Sequence, residues 1–444
     1  MTHTTRLRLP LSALLMTLLT VAGLATPAAA QPPDGDLRAR ISAIPGMRVV
    51  GERPADPGQT ILDLAYRQPT DHHHPGKGFF DQRVTLVHKS TRRPVVLYSN
   101  GYDLGGSPQR PTEPTTLLDA NQITTEHRFF GESRPEGTDW STLTIWQAAS
   151  DHHRLITALK AVYGGPWIST GGSKGGMAAV YHRRFYPHDV AGTVAYAAPN
   201  NTDDRDDRAH DARLEQIGTA ECRAAIKSVQ REGLIRRQAM TERYGRWAEA
   251  DGKTFQTIGG VDRAFELAVL RLPMMFWMHQ PPGSCVSVPT AAATDDTLYA
   301  WIAKVTQLPV YTDQTLAAFT PYFYQLGTQL GYAQFATPHL DGLLRYPGIQ
   351  EIRSYVPRDI DLRFRPAAMK DVDRWVRRRG SSLMFVNGEN DVATAEPFRL
   401  GNGTHDSFLF TVPDANHHVS IGGLRADEAQ EATAALRRWA GLAR

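Results

Sequence analysis

The sequence is short of cysteine, of net charge and of long apolar runs, and each shortage removes a class of function. Cys222 and Cys285 are the only cysteines, so a four-cysteine zinc site is impossible and no CxxC redox pair exists. Lysine and arginine total 49 against 46 acidic residues, a formal net charge of +3. The two signs are interspersed. The one dense basic run, Arg374 to Arg379, reads as a solvated helix end rather than the clustered face that nucleic acid requires, so no nucleic-acid partner is expected. Past residue 30 no stretch approaches the roughly 20 apolar residues of a membrane span. His72-His73-His74 and His152-His153 lack an HExxH or equivalent spacing, so neither a metal nor any other cofactor is expected.

What is present begins at the amino terminus. Arg6 and Arg8 form a basic head, Leu11 to Leu24 is an apolar run, and Ala28-Ala29-Ala30 precedes Gln31. That is the plan of a secretory signal peptide over residues 1–30. Export implies an extracellular mature protein with no membrane anchor. In an oxidising compartment Cys222 and Cys285 are expected to form a disulfide.

A chain of 444 residues exceeds what one core usually holds, so an insertion or a second domain is expected. Residues 31 to about 58 are rich in Pro and Gly and read as an ordered arm or a linker. Strand patterns follow at Thr60–Tyr66, Gln82–His88, Pro94–Ser99 and Thr116–Ile123. Ala148–Val162 has the period of a helix, Trp167–Thr170 of a strand, Lys174–Phe185 of a helix and Val190–Tyr196 of a strand. This alternation predicts a mostly parallel sheet wrapped by helices. From 202 to 379 helical patterns take over, as at Ala209–Gly233 and Val261–Arg271. Strand patterns return at Ser382–Val386 and Ser407–Val412, before a last helix near Ala426–Leu442. The expected organisation is therefore an α/β core in two parts, 31–201 and 380–444, interrupted by a helical cap at 202–379.

Gly171-Gly172-Ser173-Lys174-Gly175 matches G-x-S-x-G between a strand and a helix, the setting in which a serine hydroxyl is held exposed on a sharp turn. Ser173 is the candidate nucleophile of an α/β-hydrolase fold. In that fold an acid and then a histidine follow along the chain. Asp391, after the strand ending at Val386, is the candidate acid, with Glu389 as the alternative. His417 is the candidate base, with His418 beside it. An oxyanion hole needs two fixed N–H donors: the backbone of Lys174 is one, and the Asn100-Gly101-Tyr102 loop, with Tyr102, is expected to give the other. A Ser–Lys dyad through the Lys174 side chain is disfavoured, because adjacent residues at such a turn point to different sides.

Taken together, Glu126-His-Arg-Phe-Phe-Gly-Glu-Ser-Arg-Pro135, the elbow Gly171–Met177, Asn387-Gly-Glu-Asn-Asp391 and Asn416-His417 resemble the secreted tripeptidyl aminopeptidases of actinobacteria, relatives of prolyl carboxypeptidase and the lysosomal dipeptidyl peptidase. The resemblance spans nearly the whole mature chain. It implies a helical cap over an α/β-hydrolase core, a peptide substrate with a free amino terminus, release of short N-terminal peptides, and a frequent preference for Pro at the cleaved position. It also favours the first histidine of the pair as base. In the relatives the Glu126–Pro135 stretch lies under the active site, so Glu126, His127 and Arg128 either form a buried network or touch substrate. The prolyl carboxypeptidase relatives carry Tyr where this chain has Lys174. A lipase or esterase would use the same three residues, and a binding module without catalysis is the alternative outside enzymes. Glu215 and Glu242 are possible anchors for the substrate amino terminus, among many acidic residues.

Overall fold

Thr60–Pro69 (β2) and Phe79–His88 (β3) build a long antiparallel pair, in which burial alternates over Phe79–Gln82 and both faces are covered over Val84–His88. The structure is a computed structural model, described over residues 36–105, 110–137 and 139–442. The expected signal peptide at 1–30 lies outside these residues. The stretch read as an arm instead holds a short helix, Leu37–Ser42 (α1), and an edge strand, Met47–Arg53 (β1), paired antiparallel to β2. Only Met47 of that strand is fully buried, so it lacks the apolar alternation that marks a strand in sequence.

Val95–Ser99 (β4) and Asn121–Thr125 (β5) follow. The expected strand at Thr116–Ile123 is corrected here: Thr112 caps a helical turn, Glu113–Leu117 (α2), with Pro114 in its first turn, and the strand starts only at Asn121. Thr at the cap and Pro just inside are helix-start signals. Then come Ile145–Leu159 (α3), Trp167–Gly172 (β6), Lys174–Phe185 (α4) and Gly192–Tyr196 (β7). Leu383–Gly388 (β8) and Phe408–Val412 (β9) complete a nine-stranded sheet among the described residues, ordered β1-β2-β3-β5-β4-β6-β7-β8-β9. From β5 to β9 every pairing is parallel. This mostly parallel sheet with helices on both faces, and a strand–elbow–helix unit at β6 and α4, is the α/β-hydrolase fold.

The two faces have separate cores. Leu155, Ile156 and Leu159 of α3 pack on Leu64, Leu86 and Leu97. On the other face Leu436 and Trp439 of the last helix pack on Ile168, Val194 and Met384. The chain between β7 and β8 is helical: Arg208–Gln216 (α5), Ala220–Ile235 (α6), Arg237–Ala250 (α7), Val261–His279 (α8), Asp295–Thr306 (α9), Asp313–Gln325 (α10) and Ala367–Arg379 (α11), with Ala426–Trp439 (α12) last. Phe265, Leu267 and Val269 of α8 share one continuous apolar cluster with Ala178 and Val180 of α4, so the helical layer is packed onto the sheet's own helices. Cys222 of α6 is bonded to Cys285 at a Cα–Cα distance of 5.5 Å, 63 residues away. A loop of that length contributes roughly 4 kcal/mol in the chain-entropy account.

Candidate active site

The parallel strands dictate where chemistry can gather. Gly172 at the end of β6 is in register with Tyr196, Tyr196 with Val386, and Gly388 with Val412. The loops leaving β6, β8 and β9 therefore open at one edge of the sheet, which is where such sheets bind ligands. Those loops carry Ser173, Asp391 and His417.

Ser173 stands between β6 and α4 with φ 52° and ψ −123°, a left-handed conformation that a non-glycine residue holds only under constraint. Its N–H donates to the Tyr196 carbonyl at 2.8 Å, and its hydroxyl makes no capping bond to α4. The glycines around it are required by close approach. A Cβ on Gly175 would lie 2.1 Å from the Ser99 carbonyl oxygen, and one on Gly171 would lie 2.2 Å from that of Gly175.

Asp391 is fully buried and saturated with donors. It accepts from the Ala393 N–H at 2.9 Å, the Thr394 hydroxyl at 2.9 Å and His417 Nδ1 at 2.9 Å. With a carboxylate accepting at Nδ1, the proton sits on that nitrogen and the Nε2 lone pair is left to face outward. The His417 loop is clasped by the end of α8 in a way the sequence did not suggest. His417 N–H donates to the Met278 carbonyl at 3.3 Å, and Asn416 Nδ2 donates to the Gln280 carbonyl at 2.9 Å. The two alternatives fall elsewhere. Glu389 accepts from the Asp414 N–H at 2.9 Å. His418 is exposed, with Nε2 3.4 Å from His279 Nδ1. Burial, aided by the two neighbouring histidines, pushes His279 down to about 4.

The Asn100–Tyr102 loop lies directly on the elbow. Gly101 has φ +85°, and a Cβ there would sit 2.8 Å from the Gly175 nitrogen. The Lys174 side chain is buried, donates to the Gly101 carbonyl, and lies 5.2 Å from the Tyr102 ring centroid and 4.9 Å from that of Phe130. Burial holds its ammonium well below the ordinary lysine range. The structure thus brings Tyr102 and Lys174 together beside Ser173.

A cavity opens at Ser173. Its walls include Met177, Leu330, Phe335 and Val392, together with Asn201, His210, Arg271 and Tyr332. Arg271 is buried there without an ion-pair partner among the described residues. It donates to the Ala333 carbonyl at 2.7 Å and lies 4.7 Å from the Tyr332 ring centroid. Leu326–Leu330 forms a π-helical turn after α10, and it lines this same cavity.

Glu126, His127 and Arg128 belong to a buried network. Glu126 accepts from the Ser133 hydroxyl at 2.7 Å and the Leu104 N–H at 3.1 Å. Arg128 grips Asp151 through Nε at 2.7 Å and Nη2 at 2.8 Å. Asp151 also takes His72 at 2.7 Å. Of the other clustered histidines, His73 stacks on Trp146 with centroids 3.9 Å apart, His74 pairs with Asp71, His153 pairs with Asp189, and His152 meets the Thr125 hydroxyl at 3.1 Å through Nε2 while its Nδ1 is buried without a hydrogen-bond partner among the described residues.

Known proteins share this chain's sequence, one of them along most of its length. It is 51% identical over 427 residues to the prolyl tri/tetrapeptidyl aminopeptidase of Streptomyces mobaraensis, spanning 95% of this chain and 89% of that protein. The lysosomal Pro-X carboxypeptidase of Mus musculus is 41% identical over 93 residues, 18% of this chain and 19% of that protein. Among solved structures, the proline iminopeptidase of Mycobacterium smegmatis aligns with 85% of this chain and 98% of its own, at 15% identity and a TM-score of 0.39. Residues 30–444 match the family described as PS-10 peptidase S37. With that match over nearly its full length and serine peptidases as its relatives, this chain belongs to the peptidase S37 family and is a serine peptidase.

Proposed function

We propose that this protein is a secreted exopeptidase that releases short N-terminal peptides, chiefly tripeptides ending in proline, through an acyl-enzyme on Ser173. The observation that carries the proposal is the hydrogen-bonded pair of buried Asp391 and part-buried His417 at the same sheet edge as the left-handed Ser173. His417 takes the Ser173 proton as the hydroxyl attacks the scissile carbonyl. It then gives that proton to the leaving amine, while Asp391 stabilises the imidazolium. The N–H groups of Lys174 and Tyr102 receive the developing oxyanion. The apolar and aromatic lining of the Ser173 cavity suits a pyrrolidine ring. The name of the Streptomyces relative supports the tri- or tetrapeptide unit and the proline. Export is supported by Arg6, Arg8, the apolar run to Leu24 and Ala28–Ala30.

An exopeptidase must reject a substrate without the terminal charge that its site is built to pair. Alanyl-alanyl-prolyl p-nitroanilide should therefore be cleaved with at least tenfold higher kcat/KM than its N-acetyl form. Equal rates on the two would mark an endopeptidase-like enzyme. Efficient hydrolysis of a short p-nitrophenyl ester with no peptide cleavage would mark an esterase.

A further inference from the structure

Three carboxylates behind the Asn201 and Tyr332 wall of the Ser173 cavity have no Lys or Arg within ion-pair distance among the described residues. The segment 199–207 leaves β7, crosses the strand-like stretch at Pro397 through the Pro199–Pro397 bridge, and lies against the turn that follows the π-helical Leu326–Leu330. Asp204 accepts the Tyr332 N–H at 2.7 Å, and the Asn200 N–H donates to the Glu396 carbonyl at 2.9 Å. Asp204, Asp207 and Glu396 are each half-buried, and none has a Lys or Arg within ion-pair distance among the described residues. Their neighbours Asp203 and Asp206 do have such partners, in Lys370 and Arg208. Burial, together with Asp204 and Asp211, pushes Asp207 up to about 6, with partial relief from a hydrogen bond donated by the Gln334 backbone and from Arg271. Burial, followed by Asp206, Asp207 and Asp203, pushes Glu396 up to about 7, with partial relief from Arg399.

Two asparagines supply an independent sign that a donor is missing. Asn200 is 4% exposed and its Nδ2 donates to Asp373 at 2.9 Å, which fixes its amide orientation. Its Oδ1 is buried without a hydrogen-bond partner among the described residues. Asn201 is 8% exposed, and it lines the cavity with Ser173. Its Oδ1 is likewise buried and unpartnered. A buried acceptor left empty costs about 1–3 kcal/mol, a penalty that a ligand N–H would remove.

We propose that Asn201, with Asp204, Asp207 and Glu396 behind it, is the site that holds the α-ammonium of the peptide substrate. An ammonium brings one positive charge and three N–H donors, the complement of an amide oxygen beside unpaired carboxylates. Three residues of extended chain reach about 10 Å, so an anchor on a wall of the nucleophile's own cavity measures off a short peptide. The two acidic residues singled out in the cap have other partners: Glu215 pairs with Lys227 at 2.6 Å, and Glu242 accepts from Gln238 at 3.1 Å.

The inference rests on the exopeptidase reading, and the readout separates the two. The ratio of kcat/KM for alanyl-alanyl-prolyl p-nitroanilide to that for its N-acetyl form is measured in wild type, in the combined D204N/D207N/E396Q variant, and in Asn201→Ala, which leaves all the carboxylates in place. The ratio is expected to fall from at least tenfold to within twofold in the combined variant, and by about threefold or more in Asn201→Ala. A wild-type preference that persists in both variants, or an equal loss on both substrates, overturns the anchor while leaving the exopeptidase reading intact. No preference in wild type overturns that reading and the anchor with it.

Discussion

Purified Ser173→Ala protein is expected to unfold at the wild-type temperature and to cleave its peptide substrate on the order of a millionfold more slowly. The size follows from the mechanism: without the hydroxyl no acyl-enzyme forms, and the oxyanion donors and the cavity retain only a residual acceleration over water. The expectation of unchanged stability comes from the local geometry. Alanine carries the same Cβ as serine, so the left-handed φ of 52° is no harder to hold. The lost hydroxyl caps nothing in α4. Steady-state kinetics on peptide p-nitroanilides, paired with thermal unfolding, check both halves. Turnover within tenfold of wild type would remove Ser173 from the chemistry.

The neighbouring histidines should differ almost as sharply. His417→Ala is expected to match the serine replacement, because His417 alone of the pair bonds Asp391, at 2.9 Å. His418→Ala should retain at least hundredfold more activity than His417→Ala. Its ring is exposed and meets His279 at 3.4 Å, and its backbone N–H donates to Asn416 Oδ1 at 2.9 Å, a bond that alanine keeps. Asn416 in turn holds the Gln280 carbonyl, so the loop does not depend on the His418 ring. The same kinetic assay on the two variants decides the matter. The opposite ordering would move the base one residue along the chain.

The elbow was legible in sequence because its glycines answer to backbone contact: Gly171 and Gly175 have no room for a Cβ, so the pattern survives as a motif. That the loops carrying Ser173, Asp391 and His417 meet was legible for a topological reason, since parallel strands deliver successive loops to one edge. The edge strand β1 was not, because six of its seven residues keep some exposure and no apolar alternation survives to mark it. Helices α5 and α6 were read as one because the break at Ile217–Thr219 carries only Gly218 as a signal; a Cβ at Gly218 would also strike Trp277 at 2.2 Å. The acidic group beside the cavity was hidden differently. Asp203-Asp204-Arg205-Asp206-Asp207-Arg208 reads as a solvated charge run, and Glu396 joins it from far along the chain. Only the fold shows which of those acids lack a counterion. Nor could the sequence show that α8 would clasp the His417 loop, because Met278 and Gln280 act through backbone carbonyls, which no side-chain pattern records.

Exopeptidase chemistry on Ser173 should yield a definite product. Mass spectrometry of a mixed library of peptides of about ten residues, sampled during digestion by the wild-type protein, should show N-terminal tripeptides ending in proline as the first fragments, with N-acetylated members of the same library left intact. Fragments arising from internal bonds, released equally from free and acetylated peptides, would contradict it.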